Sequence, residues 1–180
     1  MQKEIEIKIL EINVEEMHRK LIRLGARKID HCLVHERIYD FPNNRIKKKD
    51  DIFRIRQCGK RTEVTYKSNS QKDEDFLEHD EYETTVANFD TMCKIAELLG
   101  MEVVKDREKK RTSYIWRNVK FEIDKYPTIP PYLEIEATKK DIKIALKKLG
   151  YSMKDTTNMA STKVLKYYKK NPNYQTFSRK

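Results

Sequence analysis

The chain has 180 residues, 38% of them charged and 38% hydrophobic, with a formal net charge of +10. Ten Tyr, six Phe and one Trp are enough to build a packed core, which argues against a disordered chain, and no apolar run approaches the ~20 residues of a membrane span. The basic excess is local: residues 139–180 hold twelve Lys and Arg against two Asp and Glu, so the rest of the chain is balanced in charge and the global basicity does not by itself imply a nucleic-acid binder.

In chain order, period-two alternation predicts strands over 3–10, 34–41, 52–57, 62–67, 78–86, 103–116, 119–125 and 132–137. After the first strand, Asn13 caps a helix with Glu16 three residues on, an apolar face of Val14, Met17, Leu21 and Leu24, and a stop at Gly25. A second helix is expected from Asp90, with Met92, Ile95, Ala96 and Leu99 on its apolar face, ending at Gly100. A third opens on the capping pair Thr138 and Asp141, buries Ile142, Ala145, Leu146 and Leu149, and ends at Gly150. Segments 42–51, 68–76 and 127–131 read as loops. About eight strands and three helices make an α+β chain dominated by antiparallel sheet, organised as one domain over 1–168 with a frayed basic tail over 169–180.

A loose repeat runs through this pattern: Glu-x-Glu on a strand, then a helix, then Leu-Gly. It begins at Glu4 and Glu6, at Glu81 and Glu83, and at Glu134 and Glu136. Because residues i and i+2 of a strand share a face, each strand presents one apolar and one charged list. Ile5, Ile7 and Ile9 oppose Glu4, Glu6 and Lys8; Phe53 and Ile55 oppose Arg54 and Arg56; Val64 and Tyr66 oppose Thr65 and Lys67. Phe121 and Ile123 oppose Lys120, Glu122 and Asp124, and Leu133 and Ile135 oppose Glu134 and Glu136. A solubilising face mixes its signs, whereas these faces group like charges that need a counter-charge. If the sheet closes on itself the charged face becomes a lumen, suited to a polyphosphate held by Arg and Lys together with a hard divalent cation held by carboxylates.

The order of these elements resembles the CYTH superfamily, or triphosphate tunnel metalloenzymes, which includes class IV adenylyl cyclases and thiamine triphosphatases. The resemblance rests on Glu4-x-Glu6-x-Lys8, Phe53-Arg54-Ile55-Arg56, Thr65-Tyr66-Lys67, Glu81-x-Glu83, Lys109-x-Arg111 followed by Tyr114, Asp124, and Leu133-Glu134-Ile135-Glu136. It implies an eight-stranded antiparallel β tunnel with helices packed outside. It further implies that Arg54, Arg56, Lys67, Lys109 and Arg111, with Lys8 near them, bind the triphosphate. Glu4, Glu6, Asp124, Glu134 and Glu136 would serve Mg2+ or Mn2+, with Glu4, Glu6, Lys8 and Asp124 the catalytic set, and Glu81 and Glu83 would complete an acidic wall. Tyr39-Asp40 after Glu36-Arg37 resembles the cyclase branch and favours conversion of ATP to cyclic AMP and pyrophosphate over hydrolysis of an organic or inorganic triphosphate. Three departures stand out: His79 in place of an Arg, Pro130-Pro131 in place of a Gly, and Ser161-Thr162 in place of Ser-Tyr.

Among the weaker signals, His31, Cys32 and His35 read as ordinary strand residues rather than a zinc site, and Lys47-Lys48-Lys49 as a solvated loop, the alternative being that it steers anions to the tunnel mouth. Three widely spaced cysteines, Cys32, Cys58 and Cys93, and an N-terminus without an apolar leader lead to the expectation of a reduced, cytoplasmic protein. The apolar outer face, with only three helices to cover it, leads to the expectation of a homodimer. The competing class is a polyphosphate- or RNA-binding module using the basic residues 139–180, but a pure anion binder has no use for the paired carboxylates.

Overall fold

Strict alternation of apolar and charged side chains gives each strand one face for a core and one for an interior that stays polar, and the structure uses both. The computed structural model describes residues 2–72 and 75–177. The strands are β1 (Gln2–Ile9), β2 (Arg27–Asp40), β3 (Ile52–Cys58), β4 (Arg61–Lys72), β5 (Leu77–Val86), β6 (Glu102–Trp116), β7 (Val119–Lys125), β8 (Tyr132–Glu136) and β9 (Tyr174–Gln175). The helices are α1 (Val14–Leu24), α2 (Phe89–Leu98), α3 (Lys139–Leu149) and α4 (Ser161–Tyr167). Eight strands pair in the order β2-β3-β4-β5-β1-β8-β7-β6, and β6 pairs back onto β2, closing an antiparallel barrel. Closure removes the free edges that an open sheet of this length would expose.

The outer apolar lists are covered by the helices. Ile7 and Ile9 of β1, Phe121 and Ile123 of β7, and Leu133 and Ile135 of β8 pack against Met17 and Leu21 of α1 and Ile142, Ala145, Leu146 and Leu149 of α3. Each aliphatic side chain buried there contributes about 1.5–3 kcal/mol. On the opposite side of the barrel α2 lays Phe89, Cys93 and Ala96 over Tyr39 and Ile55. That face is the i, i+4, i+7 set, so Ile95 and Leu99, expected to be buried, stand exposed. The helix also starts one residue earlier than expected, because Asn88 rather than Asp90 caps it by accepting from Thr91 N–H. Asn13 and Thr138 cap α1 and α3 as expected, and all three Leu-Gly stops place glycine at positive φ.

Two expectations are corrected at the C-terminal end. A fourth helix, α4, too short to show a periodic apolar face in the sequence, lays Val164 and Leu165 against Tyr126, Ile129 and Tyr132 at one end of the barrel. Beyond it the chain is not frayed: β6 outruns β7 and leaves a free edge, to which Tyr174 and Gln175 add in parallel opposite Asp106 and Arg107. Gln175 is buried, with its amide oxygen 2.6 Å from Thr128 Oγ1, and Phe177 N–H donates to Glu108 at 2.9 Å. The end of the expected tail, 178–180, lies outside the described residues. Likewise β4 continues to Lys72 through much of the segment read as a loop, and 73–74 lie outside the described residues.

The cysteine expectation is also corrected. Val34 of β2 faces Cys58 of β3, which brings Cys32, two residues back on the same face, beside Cys58, and the two form a disulfide. Cys93 is free and buried. A bridge between adjacent strands is invisible to sequence spacing, and it removes the cysteine argument for a reducing compartment. Among the described residues no helix is long and apolar enough to cross a membrane.

Candidate functional site

The charged lists converge inside the barrel on a cavity of about 270 Å³. β1 sends in Glu4, Glu6 and Lys8; β3 contributes Arg54 and Arg56; β4 contributes Lys67; β5 contributes His79, Glu81 and Glu83; β6 contributes Lys109 and Arg111; and β8 contributes Glu134 and Glu136. Register explains why they meet. Glu6 pairs with Glu136 and Lys8 with Glu134 across β1 and β8, while Glu4 lies opposite His79 on β5 and Lys67 opposite Glu81.

Every inward cation on this wall is held by carboxylates. Lys8, 1% exposed, bonds Glu6 and lies 3.0 Å from Glu134. Lys67 bonds Glu4 and lies 3.7 Å from Glu81. Arg54 sits between Glu36 at 3.8 Å and Glu81 at 3.9 Å, and Arg56 bonds Glu63 with Glu83 at 3.3 Å. Arg111 grips both oxygens of Asp124 at 2.7 Å and also contacts Glu122 and Glu134, while Lys109 takes Asp124 at 2.7 Å. Charges this deep persist only when paired, since an unpaired buried ion costs several kcal/mol.

The balance is uneven along the wall. Burial, reinforced by Glu134 and Glu4, pushes the Glu6 carboxyl up to about 7, and burial likewise raises Glu136 and Glu81. Burial works against Glu134 and Glu36 too, but Lys8 and Arg111 around the first, and Arg107 and Lys109 around the second, hold both below the usual carboxylate range. Burial would lower Lys8, yet Glu134 and Glu6 outweigh it and keep the ammonium charged. Burial opposes ionisation of Glu4 as well, but Lys67 outweighs it and holds that carboxyl below its ordinary value; by count, eight carboxylates and seven Lys and Arg side chains line the cavity, so its acids exceed its cations. A cluster of hard oxygen donors with surplus negative charge is the donor chemistry that Mg2+ or Mn2+ takes, so these residues fit such an ion.

All the expected site residues except one line the cavity. Asp124 is fully buried behind Lys109 and Arg111, and both its oxygens are engaged by them. Of the departures, His79 does face the lumen, but burial and the neighbouring Lys67 push its imidazole down to about 4, so it supplies no cation at neutral pH. Ser161 lines the cavity at the start of α4, and Thr162 Oγ1 accepts from Lys105 at 2.8 Å and Arg107 at 3.4 Å. The zinc alternative dissolves by parity: His31 bonds Thr112 and His35 bonds Asp106 on the outer side, while Cys32 faces inward to its disulfide.

Several contributors were not singled out from the sequence. Glu36 is 2% exposed and bonds Arg107 at 2.7 Å, and Glu63 holds Arg56. Lys120 and Glu122, placed by alternation on the charged face but given no role in the site, also line the cavity. Strand phase would have found Arg107, which is in step with Lys109 and Arg111. Glu36 is hidden because its inward neighbours Val34 and Ile38 are apolar. Tyr39 and Asp40 turn out not to reach the lumen. Tyr39 packs outward with Phe89 and Cys93, and the Asp40 carboxylate accepts the backbone N–H groups of Phe41, Ile46 and Lys47.

Residues 2–162 match the CYTH domain family. Among solved structures, the PH1012 protein of Pyrococcus horikoshii OT3 superimposes with a TM-score of 0.74 at 25% identity, covering 87% of this chain and 96% of that one. A candidate adenylate cyclase from Vibrio parahaemolyticus gives 0.82 at 13% identity, covering 92% and 98%. HpAC1 from Hippeastrum, a candidate adenylyl cyclase described as having a dominant triphosphatase activity, gives 0.66 at 15%, covering 95% and 97%. No curated protein sequence matches the chain.

Proposed function

The chain belongs to the CYTH domain family, whose members act on triphosphates with the help of a metal ion, and from that membership and the paired lumen we propose that it cleaves a P–O bond of an organic triphosphate. The observation that carries the reading is the lumen itself: Arg54, Arg56, Lys67, Lys109 and Arg111 converge on one cavity opposite Glu4, Glu6, Glu134 and Glu136. A triphosphate entering it exchanges partners with the protein. Phosphate oxygens take over the guanidinium and ammonium donors, and the carboxylates so released, already in negative surplus, are the ones that would hold Mg2+ or Mn2+. The ion, when bound, supplies positive charge where negative charge develops on phosphorus and the leaving oxygen. Asp124 acts from behind by fixing the orientation of Lys109 and Arg111. Lys8, locked between Glu6 and Glu134, serves as a fixed charge rather than a proton acceptor.

The reaction that needs least beyond this grip is hydrolysis: water adds to the γ-phosphorus, the β–γ bridging bond breaks, and orthophosphate leaves with the water's oxygen. A second reading, cyclisation of ATP by attack of the ribose 3′-oxygen on the α-phosphorus with loss of pyrophosphate, is favoured by one observation. A chamber of about 500 Å³ adjoins the tunnel, with Leu77, His79 and Ala160 bordering both, and offers room for a nucleoside. Tyr39 and Asp40, which do not line the tunnel, border this chamber, where the Asp40 carboxylate is engaged by backbone N–H groups. Incubation with Mg2+ or Mn2+ and, separately, ATP, thiamine triphosphate and inorganic triphosphate, with products resolved by chromatography, tests both readings. Metal-dependent release of orthophosphate is expected. Cyclic AMP with pyrophosphate would select the second reading, and no turnover of any triphosphate would defeat both.

A further inference from the structure

The chamber beside the tunnel is walled on one side by Ile38, Ile46, Ile52 and Leu77, and it contains a cation that breaks the pattern of the lumen. Lys105 is in phase on β6 with Arg107, Lys109 and Arg111, and it is half-buried. Each of those three has a carboxylate within 4 Å, whereas Lys105 has none among the described residues. Its ammonium donates only to Thr162 Oγ1, 2.8 Å away, a neutral oxygen that it shares with Arg107. Nearby acids do not serve it: Asp40 is engaged by backbone N–H groups, Asp51 accepts from Tyr66 Oη at 2.8 Å, and Glu36 is taken by Arg107. Asp50 remains as one acidic group on the wall. Lys47, Lys163 and Lys166 also line the chamber, so four Lys meet three Asp there, and Lys105 is left without a carboxylate partner among the described residues. His79, which borders both cavities, has its Nδ1 buried with no hydrogen-bond partner among the described residues.

We propose that this chamber is a second anion subsite, so that the ligand is an organic triphosphate whose organic part passes the apolar wall and ends in a further anionic group facing Lys105. This rests on the triphosphate reading of the tunnel, and it holds whichever P–O bond is cut. Burial, then Arg107, with Lys166 and Lys47 adding to it and Glu36 opposing only in part, lowers the Lys105 ammonium to about 8, which is the cost that a bound anion would relieve. The subsite also gives a role to Lys47 and to the basic residues of α4, which the tunnel leaves unused.

Calorimetry with Mg2+ on the full chain tests this, using inorganic triphosphate, ATP, and ATP carrying an additional 2′- or 3′-phosphate. The expected result is that the additional phosphate tightens binding about tenfold or more over ATP, the scale of one hydrogen bond to a charged group. That gain should vanish in Lys105→Gln and persist in Lys105→Arg, with inorganic triphosphate binding unchanged in both. Equal affinity for ATP and both phosphorylated forms, or a gain that survives Lys105→Gln, would overturn the subsite while leaving the tunnel reading intact. Failure of inorganic triphosphate to bind the wild type would sink the tunnel reading and the subsite with it.

Discussion

Ile7 and Lys8 are neighbours on β1 and almost equally buried, at 0% and 1% exposure, yet they are buried by different means. Ile7 lies in the outer layer, where removal from water is itself the driving force. Lys8 lies in the inner layer, where removal from water is a penalty offset only by Glu6 and Glu134. The same alternation that builds one layer builds the other, so the barrel wall separates a part of the molecule made for stability from a part made for binding.

The largest effect should come from breaking an inner pair. Arg111→Ala leaves Asp124, Glu122 and Glu134 short of a counter-charge, and denaturant unfolding should show a loss of about 3–5 kcal/mol. In the outer layer, Ile135→Ala should cost about 2–5 kcal/mol of stability by the same measurement. Here the two layers part: the Ile135 variant, under conditions where it is folded, should bind triphosphate as the wild type does. A matching loss of affinity would show that the layers are not separable.

Smaller effects concern binding alone. Arg56→Ala and Lys67→Ala should each weaken triphosphate binding by about 1.5–3 kcal/mol, read by calorimetry. If either is silent, the phosphate grip lies elsewhere on the wall. Smallest is a pH effect at Lys105. Its pKa falls from an ordinary 10.5 to about 8 on folding, so between these values the unfolded chain holds more protons than the folded one. Stability should therefore rise with pH across that window. Lys105→Met should melt higher than the wild type below pH 8, with the gap closing towards pH 10.5, and a gap independent of pH would refute the assignment.

The barrel and most of its lumen were legible because both follow from strand parity. Once Glu4, Glu6 and Lys8 share a face, Ile5, Ile7 and Ile9 must share the other. What escaped the sequence depends on contacts across the fold. The Cys32–Cys58 bridge needs the β2–β3 register. β9 needs the free edge of β6. Asp124 follows the parity rule, but only the structure shows its oxygens taken by Lys109 and Arg111 rather than open to the lumen. Helix α4 has too few residues for periodicity to mark it, and its apolar pair Val164 and Leu165 gains meaning only from the barrel end it covers.

If triphosphate binds as proposed, the carboxylate sector is a partner of the cations in holding it and not only their counter-charge. Calorimetry of inorganic triphosphate with and without Mg2+, on the wild type and on Glu4→Gln/Glu6→Gln, tests it most directly. The wild type should bind only when the divalent ion is present, and the double variant, folded by circular dichroism, should lose this metal-dependent binding. Equally tight binding without metal by both proteins would contradict it and leave the lumen an anion-binding channel.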